Sequence, residues 1–80
     1  MSPHEILSSI RRQPFVPFRF SLTAGTVYEV RHPELCIVTT RSLYLGLPVA
    51  GDPDLLTERT VIVDLLHIVK LEPMETSVKG

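Results

Sequence analysis

The sequence predicts a mainly β domain, with one N-terminal α-helix followed by a small, strongly bent antiparallel barrel of five or six strands. Three observations carry that expectation. The first dozen residues combine a helix cap with helical apolar spacing. Beyond Pro14 the apolar residues recur at every second position. Seven prolines and four glycines divide the 80-residue chain into short segments.

The helix is expected over residues 3–12. Ser2 can cap it, Pro3 fits the first turn, and Glu5, three residues after Ser2, completes a capping box. Ile6, Leu7 and Ile10 form one apolar stripe, and Arg11 and Arg12 near its end suit the helix dipole. Pro14 ends it. A helix of about ten residues persists only if that stripe is docked.

From Val16 the period changes to two. Phe18, Phe20 and Leu22 alternate with Arg19, Ser21 and Thr23, the mark of a strand with one buried face. Ala24-Gly25 supplies a tight turn, and TVYEVR returns as the partner strand of a hairpin. Pro14 and Pro17 are expected to mark the helix exit and the first unpaired residues of an edge strand. Phe15 is expected to pin the helix to the barrel.

His32-Pro33-Glu34 is the next break, because proline cannot donate to a ladder and pushes the preceding residue away from helix. LCIVTT follows as a strand, Arg41-Ser42 turns the chain into LYLGL, and Gly46 suggests a bend or bulge there. Residues 48–59, PVAGDPDLLTER, read as the one long loop and the most mobile segment. TVIV and IVKLE are the last strands. Asp64-Leu65-Leu66-His67 joins them, with Asp64 accepting backbone N–H groups just ahead of it. Pro73 closes a single domain over residues 1–73, and residues 74–80 are expected to be a flexible C-terminal tail.

A composition of 44% hydrophobic and 21% charged residues excludes a disordered chain. No apolar run approaches the roughly 18 residues of a membrane span, and the N-terminus lacks a secretory pattern, so no membrane partner and a cytoplasmic localisation are expected. A chain of this size builds only a marginal core, which an oligomeric interface often supplements. Cys36, within LCIV, reads as a small buried hydrophobe. The net charge of −1 gives no general attraction for nucleic acid. The distribution is uneven, with +2 over residues 1–41 and −3 over residues 42–80, which suits head-to-tail contact between subunits or an anionic ligand.

A short SH3-like or OB-like barrel fits this series of elements, and the layout is similar to that of the Sm/LSm superfamily, which includes Hfq. In that superfamily a helix precedes five bent strands and a tight turn links the last two, here FRFSLTAGTVYEV at one end and VIVDLLHIVKLEP at the other. The resemblance implies ring assembly through the fourth and fifth strands, LYLGL and TVIV, and RNA binding at the rim. The RNA-reading motifs are not matched: HPELCIVTT lacks the Asp-x-hydrophobic-x-Asn signature, and the positions of the Lys-His pair hold Leu65 and Leu66, with His67 one place later. The chain also resembles small uncharacterised bacterial proteins that share Pro14-Phe15, Pro17-Phe18, a His-Pro-Glu turn and an Asp-Leu-x-His-Ile close, and that resemblance implies no function.

Catalysis is not expected. The sequence holds neither HExxH nor CxxC nor a phosphate-binding glycine loop, and no cofactor or small-molecule substrate is implied. Five aromatic residues barely serve the core, leaving Phe15, Tyr28 and Tyr44 as stacking platforms for single-stranded RNA. The function expected is a non-catalytic, homo-oligomeric binding or assembly module that self-associates through strand edges. Arg11, Arg12, Arg19, Arg31, Arg41 and His67 are the candidate contacts to RNA, another anion or a partner. Two alternatives stand beside it: a weak RNA-binding ring using the arginines of the helix and first hairpin, and a small metal-dependent enzyme built on His32, Glu34 and His67. In the structural reading, His32 caps a turn and His67 is partly buried.

Overall fold

A computed structural model describes residues 1–74. The chain is mainly β, with helix α1 (Pro3–Arg11) followed by β1 (Phe18–Leu22), β2 (Val27–Val30), β3 (Cys36–Val38), β4 (Ser42–Pro48), β5 (Thr57–Asp64) and β6 (Ile68–Pro73). One-turn 3-10 segments, Pro33–Leu35 and Leu65–His67, precede β3 and β6. The tail expected over 74–80 falls, beyond Met74, outside the described residues.

The helix forms for the reasons legible in its first turn. The Ser2 hydroxyl accepts from the His4 amide at 3.1 Å, and the Glu5 carboxylate accepts from the Ser2 amide at 3.0 Å, the two halves of a capping box. Ile6 is its one fully buried side chain, and the helix lies against β3. Phe15 stands edge-on to Phe18, ring centroids 6.2 Å apart, and packs against the core cluster that also holds Ile6 of the helix.

The strands form two three-stranded antiparallel sheets, ordered β2-β1-β6 and β3-β4-β5, rather than one closed barrel. The core lies between them. Phe18 and Phe20 enter it from β1, Val30 from β2, Leu43 and Leu45 from β4, Val63 from β5 and Ile68 from β6, each at alternate positions of its strand. Cys36 is buried among them, and the absence of water there pushes its thiol up to about 11, so it is a packed hydrophobe.

Four expectations are corrected. First, β1 is the central strand of its sheet, paired to β2 on one side and β6 on the other; its buried phenylalanines come from this double cover. Pro14 and Pro17 lie before it, and the Pro17 carbonyl accepts from the Met74 amide at 2.8 Å. Second, Gly46 sits in regular pairing opposite Thr60, and the register shift falls between Leu47 and Pro48. A Cβ at Gly46 would stand 3.2 Å from the Thr57 methyl, so the glycine serves close packing. Third, the long loop is shorter than expected because Thr57, Glu58 and Arg59 belong to β5. What remains is tied by Val49 N–H to Leu56 C=O at 2.8 Å and by the Asp52 carboxylate accepting from the Asp54 amide at 2.8 Å. Fourth, LYLGL lies within β4, which is hydrogen-bonded to β3 and β5, so its backbone is not free to join another subunit.

Candidate functional site

The two sheets differ in what they turn to solvent. Across β2-β1-β6 the outer rows are Glu29–Arg19–Glu72 and Val27–Ser21–Lys70, a polar face. Arg19 Nε donates to Glu72 Oε1 at 3.0 Å, and Lys70 Nζ lies 3.6 Å from Glu72 Oε2. The hydrogen bond from Arg19, aided by the two positive charges, holds the Glu72 carboxyl below the usual range.

Across β3-β4-β5 the register aligns Ile37 with Tyr44 and Tyr44 with Ile62 on the outer face. Their exposures are 64%, 38% and 63%, so three apolar side chains form one uncovered row. That row ends at β5, the last strand of its sheet. Beside β5, where the sheets part, an open cleft of about 530 Å³ is walled by Leu22, Tyr28, Val61 and Val63, with Asp64 and His67 at one end. A sheet edge, an exposed apolar row and an apolar cleft thus converge on one strand.

The sheet edges are unequal. β2 and β3 are short, running Val27–Val30 and Cys36–Val38. The pairing of β6 with β1 shifts register between Ser21 and Leu22, and Pro73 at the end of β6 lacks an N–H. β5 is the longest strand and contains no proline. β5 also has a bulge, at Glu58 near its start, but from Arg59 to Asp64 it runs in regular register, longer than the other edges and without proline.

The turn after β5 is fixed by Asp64, whose Oδ1 accepts from the Leu66 amide at 2.9 Å, the role the sequence assigns to it. The His67 carbonyl accepts from the Thr23 amide at 2.8 Å and from the Thr23 hydroxyl at 3.2 Å, tying the turn to the β1–β2 hairpin. The His67 side chain is exposed at the mouth of the cleft, not partly buried, because only the backbone of the turn is engaged. His32 precedes a 3-10 turn but makes no side-chain cap.

The candidate arginines do not converge. Arg11 ends the helix and Arg12 follows it, both exposed. Arg19 is engaged by Glu72, and Arg31 by Glu29 at 3.1 Å on the other side of the hairpin. Arg41 lies in the β3–β4 turn, where its carbonyl accepts from the Leu65 amide at 2.8 Å. Nor do His32, Glu34 and His67 assemble: among the described residues no group of three His, Cys, Asp or Glu side chains could hold a metal ion. Sequence reasoning missed the Ile37–Tyr44–Ile62 row, because only the register across three strands brings those positions together.

No helix among the described residues is long and apolar enough to cross a membrane. No family model, curated protein or solved structure matches the chain.

Proposed function

We propose that the protein is a non-catalytic, cytoplasmic assembly module that self-associates through its second sheet. One observation carries the reading: the long, proline-free edge of β5, regular from Arg59 to Asp64, adjoins an uncovered apolar row and an apolar cleft. Such an edge is a template on which another strand can pair.

An Sm-like arrangement is consistent with this. If β2 and β3 are counted as two halves of one strand bent at His32-Pro33, the neighbour order becomes β6-β1-β2/β3-β4-β5, and a one-turn 3-10 segment links the last two strands. That is a helix, five bent strands and a tight final turn. RNA binding has less support, since two of the five candidate arginines are held by carboxylates, and the others are divided between the end of the helix (Arg11 and Arg12) and the β3–β4 turn (Arg41). Multi-angle light scattering over a dilution series tests the proposal. A concentration-dependent mass above the 9.0 kDa monomer is expected, and a strict monomer at high micromolar concentration refutes it. A salt-sensitive association with single-stranded RNA, strongest at low salt, would favour the RNA reading instead.

A further inference from the structure

We infer that the occupant of the β5 edge is β5 of a second copy, the two strands running antiparallel about a two-fold axis through Ile62; the inference rests on the self-association proposed above. The direction of the free backbone groups limits the registers available. The Leu65 amide donates to the Arg41 carbonyl, which makes 41 and 65 a hydrogen-bonded pair in continuation of the β4–β5 ladder. Hydrogen-bonded pairs alternate along antiparallel strands, so over the regular stretch Arg59–Asp64 the residues Val61 and Val63 turn their N–H and C=O toward β4, while Thr60, Ile62 and Asp64 turn theirs to the open edge; Glu58 lies in the bulge opposite Leu47. Two such edges bond only when outward-turned residues face each other, which places the axis through a residue.

Charge then selects among those residues. An axis through Arg59 or Asp64 sets each against its own copy, and an axis through Val61 brings the bulge at Glu58 beside Asp64; like charges brought together are unfavourable. An axis through Thr60 draws the bulge at Glu58 into the paired stretch, beside Ile62, and an axis through Val63 places Ile62 against Asp64 and leaves most of β5 unpaired. Only the axis through Ile62 confines the pairing to Thr60–Asp64, within the regular part of β5, and leaves Glu58 and Arg59 outside it, because the other copy turns away at Leu65–His67. It sets Ile62 against Ile62, Thr60 against Asp64, and Val61 against Val63.

The same register accounts for the other two features of the site. On the outer face, the Ile37–Tyr44–Ile62 row of one copy runs directly into that of the other, giving one continuous apolar band. On the inner face, the half-buried Val61 of each copy meets Val63 of the other, beside the open side of the cleft that Leu22 and Tyr28 also wall. β6 is a poorer partner, because beyond its bulge it runs only from Lys70 to Pro73, which lacks an N–H, whereas β5 runs regularly from Arg59 to Asp64.

Three single cysteine variants of the full chain test the register under mild oxidation: Ile62→Cys, Thr60→Cys and Leu66→Cys. Cys36 remains in each, buried and without an accessible thiolate. Copies of residue 62 face each other with Cα atoms about 5.5 Å apart, inside disulfide range. Copies of residue 60 lie about 13 Å apart along the strands, outside it. Leu66, 82% exposed, reports random collision. Ile62→Cys is expected to form disulfide dimers at least about tenfold faster than the other two. Preferential linkage of Thr60→Cys overturns the register. Linkage of Ile62→Cys no faster than Leu66→Cys, in a protein that light scattering finds oligomeric, overturns the β5–β5 pairing and leaves self-association standing. A monomer by scattering overturns both.

Discussion

Truncation of Ile6 to alanine probes whether the helix is part of the folded unit. Ile6 has no solvent exposure and is the only fully buried side chain of α1. The change removes three carbons from a closed core, about 2.5 kcal/mol of transfer free energy at roughly 0.8 kcal/mol per carbon. A residual void adds to this, and isoleucine-to-alanine changes in such sites total about 2 to 5 kcal/mol. The helix runs only from Pro3 to Arg11, too short to survive undocked, so its own hydrogen bonds weaken with the loss of its anchor. We expect a loss of about 3 to 4 kcal/mol, a large share of the stability of a domain this size. Urea unfolding followed by circular dichroism at 222 nm measures it, with Ser8→Ala on the exposed face as control. A loss under about 1 kcal/mol, comparable to that control, would refute the docking of α1 on the core.

Three further outcomes follow from the same contacts. Asp64→Ala should cost about 0.5 to 2 kcal/mol by removing the acceptor for the Leu66 amide, and Asp64→Asn should restore most of it, because an amide oxygen accepts the same bond; thermal melting of both variants decides. Glu72 is held below its ordinary value in the folded state, so the unfolded chain takes up the proton first. Its contribution is complete above the ordinary glutamate range, near pH 4.3, and fades as pH falls through the folded value. Stability of Glu72→Gln should therefore decline less than that of the parent on acidification from neutral pH, and parallel pH profiles would count against the Arg19–Glu72 bond. Cys36, with its thiol raised to about 11 by burial, should resist iodoacetamide at pH 8 and react only in denaturant, as read by intact mass.

The elements that were legible in the sequence are those specified within a few neighbouring residues. Ser2, Pro3 and Glu5 placed the start of the helix because a cap is a contact across three positions. The alternation of Phe18 and Phe20 with Arg19 and Ser21 located β1 and its buried face. Asp64 announced its turn because an Asx turn reaches only two residues ahead. Thr57-Glu58-Arg59 read as loop because polar, charged residues on an edge strand, with no buried neighbour, leave no apolar alternation to detect.

The amino-acid sequence alone therefore determined the helix, most of the strands, the buried phenylalanines and the turn after β5, since periodicity and capping act locally along the chain. Tertiary structure decided the lateral order of the strands: that β1 is central, that β5 is a free edge, and that Ile37, Tyr44 and Ile62 form one row. The physical reason is that a β-ladder joins residues far apart in sequence, so which side chains share a face depends on strand pairing and register, which no single segment encodes.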